Sequence, residues 1–186
     1  MIQLDEKRVV TKGNIPINNK LLNKYNSAEE IFESEKYKKK HKFFIKSDIK
    51  ELNSINLSNM KIKEVKDLAY RIFVNYYTNF KFVNDNNIIL VNRSGINESI
   101  EKIYYNRTQR DLLKEHLLIF SILGKVIESG ILVNQVYERK NRIKYNSWNY
   151  YVEDVFIDGK KYLVEFEVVS LDSGENHYRV QRLELK

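Results

Sequence analysis

The sequence contains no cysteine and only one proline, six glycines and three histidines among its 186 residues. Without cysteine, the chain can form neither a disulfide framework nor a thiolate metal site. His41, His116 and His177 are too scattered in sequence to favour a zinc site made of imidazoles alone. We therefore expect neither a metal nor a cofactor.

Long hydrophobic runs are also missing. Asp5, Glu6 and Lys7 follow closely behind Met1, where a signal peptide would carry its apolar run. No later stretch approaches the length of a membrane span. We expect a soluble, cytoplasmic protein that makes no membrane contact, and 186 residues fit one domain of ordinary size.

Positive charge is in excess, with 32 Lys and Arg residues against 25 Asp and Glu residues, a net charge of +7. This balance favours an anionic partner, and RNA or another nucleic acid is the expected one, with a protein as a second kind of partner. The abundance of Asn, Lys, Ile and Tyr resembles the coding bias of an A+T-rich genome, so charge selects only a partner class. Nothing in the sequence specifies an oligomeric state.

Residues 1–56 differ in composition from the rest and are interpreted as an N-terminal extension with one charged helix. Ser27 and Glu30 form a capping-box pattern at its start, and lysines cluster near its end. Two interpretations of Lys36 to Lys42 stay open: a solvated helix end, or an arm that binds phosphate.

Residues 57–186 are interpreted as the main domain, in which helices precede strands. Apolar residues from Ile62 to Tyr76 repeat at helical spacing. The other expected elements are a hairpin of Phe80–Val83 and Ile88–Val91, a short helix capped by Ser94, and a longer helix that Thr108 and Asp111 open and Gly130 ends.

The stretch from Asn146 to Lys186 predicts three strands joined by tight turns at Asp158-Gly159 and Ser173-Gly174. The expected fold class is α+β, with N-terminal helices packed on a small antiparallel sheet that ends in a three-stranded C-terminal meander.

Strand alternation sorts the meander into a core face and a polar face. A two-residue turn at Asp158-Gly159 pairs Tyr151 with Phe166 and Tyr150 with Glu167. A slip of one residue in the last strand, through a bulge or longer turn, sets His177 and Arg179 beside Val169 and Glu167. The polar face is then expected to hold Trp148, Tyr150, Glu165, Glu167, His177, Arg179 and Gln181.

The polar face carries the side chains that metal-independent RNA cleavage needs: proton carriers for the ribose hydroxyl and the leaving oxygen, and a cation for the phosphorane. Tyr150, Glu167, His177 and Arg179 are the candidate catalytic residues. The alternative is a solvent-facing sheet surface on which a Glu167–Arg179 pair stabilises neighbouring strands.

His116 lies on the same helical stripe as Leu112, Leu113 and Phe120. A histidine on an apolar face is typically bonded within the core, and a catalytic role is the second interpretation.

A basic segment precedes the meander. Arg139, Lys140, Arg142 and Lys144 stand beside tyrosines and just ahead of Trp148, and together they are the candidate nucleic-acid-binding residues. Cationic groups neutralise phosphates and aromatic rings stack on unpaired bases. A solvated loop is the alternative.

From about Lys66 onward, the order of motifs resembles the large polyvalent protein-associated domains of phage and mobile-element proteins. The matching features are residues 89–100 (ILVNRSGINESI), the Leu-rich helix with His116, and a meander containing residues 148–151 (WNYY), 158–162 (DGKKY) and His177-Tyr178. The resemblance implies the barnase, EndoU, colicin and RelE-like ribonuclease fold, with helices on a small antiparallel sheet.

The resemblance implies a metal-independent endoribonuclease or a toxin-like, RNA-directed effector. A non-catalytic module, such as a phage-encoded inhibitor that binds a host nucleic acid or protein, is the main alternative. A structural protein packaged with phage DNA is a third possibility compatible with the charge.

Overall fold

The structure is a computed structural model that describes residues 9–10, 16–17, 43–45, 49–137 and 145–186. The helices are α1 Lys50–Asn53, α2 Ile62–Tyr76, α3 Arg93–Tyr105, α4 Arg107–Arg110 and α5 Leu113–Ser129, with a 3₁₀ turn at Leu57–Asn59. The strands are β1 Val9–Val10, β2 Pro16–Ile17, β3 Phe43–Ile45, β4 Lys81–Asn84, β5 Asn87–Leu90, β6 Ile131–Tyr137, β7 Tyr145–Ile157, β8 Lys160–Leu171 and β9 Asn176–Leu185.

Two groups of predicted residues lie outside the part of the chain that the structure describes. They are the charged helix beginning at Ser27, with Lys36 to Lys42, and the basic residues Arg139, Lys140, Arg142 and Lys144. Both stay predictions from sequence.

The long helices follow their apolar periodicity. Helix α2 spans the predicted range, and its buried stripe packs against α3 and α5. The starts of two others differ from prediction. Asn92, not Ser94, caps α3 by accepting the Gly95 N–H at 2.8 Å, and Asn106 caps the short α4 ahead of α5. Asparagine caps as well as serine does, so either residue fits the pattern.

The sheet is larger and more mixed than expected. Among the described residues, six strands run in the order β3-β7-β8-β9-β5-β4, and β6 joins the sheet as a seventh strand by pairing with β7. Strands β6 and β3 share one edge of the long β7, because β6 pairs antiparallel with its first half and β3 pairs parallel with its last three residues. Strand β5 pairs parallel with the start of β9. The expectation of a small antiparallel sheet is therefore met only in part: the class is α+β and most strand pairs are antiparallel, but the sheet is larger and includes two parallel pairs.

The predicted meander forms as the part of this sheet from β7 to β9. Asp158 and Gly159 adopt φ angles of 48° and 80°, which a two-residue turn requires. The turn pairs Tyr151 with Phe166 and Tyr150 with Glu167, as predicted.

Strand β9 carries a bulge opposite Glu167. His177 pairs with Val169 and Tyr178 with Val168, but Glu167 pairs with Val180, so Arg179 is the extra residue. The predicted one-residue slip is confirmed for His177. Gln181 was expected on the polar face and lies instead opposite Phe166, fully buried, because the bulge shifts the alternation after Arg179.

The helices cover one face of the sheet, here called the helix face. Its strand side chains join one core with α2, α3 and α5 and include Tyr151, Tyr162, Val164, Phe166, Val168, Tyr178 and Leu183. The opposite face, here called the outer face, carries Trp148, Tyr150, Glu165, Glu167 and His177 by register. It has a smaller apolar cluster of Val133, Val152 and Leu163.

Helices α3 and α4 cover the edge of β9 where β5 stops: Ser99 of α3 accepts the Gln181 N–H, and Gln109 of α4 bonds further along the strand. The pairing of β5 with β9 involves only Asn176 and His177 of β9. Further along, the Gln109 side chain accepts the Leu183 N–H at 2.8 Å and donates to the Leu183 carbonyl at 3.0 Å. The Gln109 amide thereby supplies hydrogen-bond partners to backbone groups that would be unpaired at a free strand edge.

Gly95 allows α3 to lie directly against β9. A Cβ at this position would collide with the carbonyl oxygen of Tyr178. We predict that Gly95→Ala lowers the free energy of unfolding by about 1–3 kcal/mol, because the methyl group pushes the helix off the strand. Urea unfolding measures the change. Ser94→Ala, at an exposed neighbouring position, should stay within about 0.5 kcal/mol of the wild type, and equal effects of the two substitutions would contradict the packing account.

Candidate functional site

A cavity of about 180 Å³ lies between the first turns of α3 and the start of β9. We call it the α3–β9 pocket; its lining residues are Asn92, Ser94, Gly95, Glu98, Val169, Leu171, His177, Tyr178 and Arg179. It combines an imidazole, a guanidinium, a carboxylate and a carboxamide. His177 and Arg179, two of the predicted catalytic residues, therefore line one pocket.

Arg179 forms an ion pair with Glu98 of α3. Its Nε donates to Glu98 Oε2 at 2.6 Å, and one of its terminal nitrogens binds the same oxygen. Both side chains are about a quarter exposed, so the guanidinium is held in a partly desolvated setting while one side of the pair stays accessible. Sequence reasoning paired Arg179 with Glu167 and did not select Glu98, which is 81 residues distant along the chain.

His177 is bonded at both ring nitrogens. Asn92 Nδ2 lies 3.1 Å from Nδ1, and the carboxylate of Glu175 lies 3.4 Å from Nε2. The longer contact involves an exposed glutamate that a ligand can displace. Asn92 thus holds the Nδ1 side of the imidazole, while the Glu175 contact on the Nε2 side can be exchanged for a ligand.

Tyr150, Glu167 and Trp148 lie on the outer face beside the pocket but do not line it. Tyr150 and Glu167 are cross-strand neighbours, and Trp148 pairs with Val169, a lining residue. All three side chains are half-buried. Of the predicted catalytic residues, His177 and Arg179 line the pocket, and Tyr150 and Glu167 form a cross-strand pair on the adjacent strands of the outer face.

His116 lies elsewhere, completely buried in a polar network beneath the helix face. Its Nε2 lies 3.0 Å from Gln109 Oε1, and its Nδ1 lies 3.3 Å from Gln181 Nε2. Gln109 Oε1 also accepts the Leu183 N–H, so it acts as an acceptor and assigns the ring proton to Nε2. Burial lowers the His116 pKa to about 3, so the ring is neutral at pH 7. This geometry favours the core role.

A second cavity, of about 250 Å³, opens near the end of β9. Its lining residues are Asn106, Gln109, Leu163, Glu165, Arg182, Leu183 and Glu184. Burial raises the pKa of Glu165 to about 7, the nearby Glu167 and Glu184 carboxylates add to the rise, and Arg182 opposes it. Glu165 therefore titrates near neutral pH.

A family model described as large polyvalent protein-associated domain 3 matches residues 60–178, more than half of the chain. The chain belongs to the large polyvalent protein-associated domain 3 family. No curated protein and no solved structure matches it. The family match includes Asn92, Glu98, His116 and His177 and ends one residue before Arg179.

Two further observations concern the described residues of this family member. No helix among them is long and apolar enough to cross a membrane. No group of three or more His, Asp and Glu side chains in the described ranges is arranged to hold a metal ion.

We predict that His116 makes stability depend on acid pH. The unfolded chain takes up a proton near the ordinary pKa of 6.5, whereas the folded chain resists protonation down to about 3. Below pH 6.5 the unfolded state therefore binds more protons, and the free energy of unfolding falls as pH falls, by up to about 1.4 kcal/mol per pH unit. His116→Gln should flatten this slope in urea unfolding between pH 7 and pH 4.

Leu117→Ala is the matched control for that slope. Leu117 is equally buried on the next position of α5 but does not titrate, so its substitution should lower stability by a similar amount at every pH. Equal slopes for the wild type and His116→Gln would show that the buried imidazole does not cause the acid sensitivity.

We predict the opposite sign for Glu165. Its folded pKa of about 7 lies above the ordinary 4.5, so the folded state binds more protons between these values and loses stability as pH rises through them. Glu165→Gln should therefore gain stability relative to the wild type on going from pH 5 to pH 8. With allowance for partial exposure, the gain is on the order of 1–2 kcal/mol. A constant difference across this range would contradict the assignment.

Proposed function

We propose that the protein is a metal-independent endoribonuclease, an RNA-directed effector of phage or mobile-element origin. The observation that carries the proposal is that His177, Arg179 and Glu98 line one pocket beside Glu167 and Tyr150. Membership in the polyvalent protein-associated family supports the setting. The net charge of +7 supports an anionic substrate.

The proposed reaction is attack of a ribose 2′-hydroxyl on the adjacent phosphorus. Glu167 accepts the hydroxyl proton, the 2′-oxygen forms a bond to phosphorus, and the bond from phosphorus to the 5′-oxygen breaks. Tyr150 gives a proton to the leaving 5′-oxygen, and solvent returns the proton from Glu167 to Tyr150. The products are a 2′,3′-cyclic phosphate and a free 5′-hydroxyl.

Arg179 and His177 have the charge-stabilising roles. The guanidinium neutralises the extra negative charge of the phosphorane, and Glu98 holds it in orientation through the ion pair. The Nε2 side of His177 donates a hydrogen bond to a phosphate oxygen when substrate displaces the exposed Glu175 carboxylate. Substrate enters from the outer face, where Trp148 provides a ring for base stacking.

A non-catalytic binding module is the second candidate. It is favoured by the same Arg179–Glu98 pair, because a guanidinium already neutralised by a carboxylate is less available to a developing charge. Such a module binds RNA or a host protein on the same surface and releases no product.

We predict that the purified protein cuts labelled tRNA or single-stranded RNA in EDTA and that Arg179→Ala lowers the rate roughly 10²–10³-fold, as loss of a transition-state charge contact does. His177→Ala and Glu167→Gln should each lower the rate at least about tenfold. Denaturing gels of single-turnover reactions give the rates, and circular dichroism checks that each variant is folded.

Lys102→Ala is the matched control. Lys102 also approaches Glu98, at 3.6 Å, but it is half exposed and outside the pocket lining, so its removal should leave cleavage near the wild-type rate. Full activity of Arg179→Ala would show that the proposed site is not the site of cleavage. Intact RNA that is retarded on a native gel would support the binding module instead, and RNA neither cut nor bound would reject both candidates.

A further inference from the structure

The carboxamide of Asn92 caps α3 with its oxygen and contacts His177 with its nitrogen. Its Oδ1 accepts the Gly95 N–H at 2.8 Å and so caps α3, while its Nδ2 lies 3.1 Å from Nδ1 of His177. An amide oxygen only accepts and an amide nitrogen only donates. Exchanging the two atoms would turn a donor toward the Gly95 N–H and lose the cap. The helix start therefore fixes which end of Asn92 faces the histidine.

This orientation determines where the imidazole carries its proton. Because Asn92 Nδ2 donates, His177 Nδ1 must accept, and the ring hydrogen of the neutral form belongs on Nε2. The carboxylate of Glu175, near Nε2, favours the same arrangement. The other charged groups lining the pocket, Arg179 and Glu98, bind each other. The pocket thus presents a hydrogen-bond donor where an RNA phosphate is expected.

We propose that Asn92 is the positioning residue of this site: it commits His177 to the Nε2–H tautomer and makes the imidazole a phosphate donor rather than a base. The consequence for cleavage rests on the proposed function. The tautomer itself is a property of the free protein and is measured without RNA.

The test compares three forms of the full-length protein labelled with ¹⁵N: the wild type, Asn92→Asp and Asn56→Asp. Asparagine and aspartate cap helices about equally well, so Asn92→Asp keeps the cap but turns an acceptor toward Nδ1. Asn56 caps the 3₁₀ turn by accepting the Ser58 N–H and is exposed, so Asn56→Asp makes the same chemical change where no histidine is bonded. Ring nitrogen shifts are recorded at pH 8, and a His177→Gln sample assigns the signals.

The wild type and Asn56→Asp should carry the ring hydrogen of His177 on Nε2, with Nδ1 unprotonated. Asn92→Asp should move a hydrogen onto Nδ1, while the buried His116 ring keeps its signals and reports that the fold is intact. A protonated Nδ1 in the wild type, or unchanged His177 shifts in Asn92→Asp, would overturn the inference. If Asn92→Asp does not fold, Asn92→Ser keeps a capping oxygen but removes the carboxamide N–H that faces Nδ1, because the shorter hydroxyl is used by the cap. This variant should give a mixture of tautomers; a single Nε2–H form would overturn the inference.

Cleavage assays separate this inference from the proposed function. With an active wild type, Asn92→Asp should lower kcat by roughly 10²-fold, the scale of a mispositioned catalytic imidazole, and Asn56→Asp should leave it unchanged. An active Asn92→Asp with a switched tautomer would overturn the catalytic consequence. If the wild type cuts no RNA but the ring shifts change as expected, the positioning role stands and the nuclease proposal fails.

Discussion

The extra residue in β9 opposite Glu167 is the constraint on which the site depends. Without it, strict alternation would bring every second residue of the strand to one face. The bulge lets both Tyr178 and Gln181 face the helices, where they bond each other and Ser99. Arg179, the extra residue of the bulge, forms an ion pair with Glu98. This one bulge therefore places Tyr178 and Gln181 in the buried network and leaves the Arg179 guanidinium partly exposed in the pocket, and bulges are common beside functional sites.

The close contact between α3 and β9 determines which side chains line the pocket. Gly95 removes the side chain that would separate helix from strand, and the close approach brings Glu98 and Asn92 to the start of β9. The Arg179–Glu98 pair is only partly desolvated, so it fixes geometry at modest cost in stability. His116 of α5 is buried against Gln109 of α4 and Gln181 of β9, so among the described residues His177 is the imidazole that faces the pocket.

Local sequence patterns predicted the elements and the β7–β8 register because alternation and turn chemistry act over a few residues, as at Asp158-Gly159. They also predicted that His177 lies beside Val169. The parallel pairing of β5 with β9 and the attachment of β3 and β6 to β7 depend on distant segments and have no local signature. Glu98 and Asn92 were missed for the same reason, since a helix surface glutamate acquires its partner only through the tertiary fold.

The most direct test of the account is a titration of ¹⁵N-labelled protein with single-stranded RNA that carries a 2′-O-methyl group on every ribose, so that it can bind but has no free hydroxyl for attack. The account predicts that the His177 ring and the Arg179 Nε–H signals shift in proportion to bound RNA, while the His116 ring does not. RNA that binds without perturbing His177 and Arg179, or that does not bind at all, would contradict the claim that the α3–β9 pocket receives the phosphate.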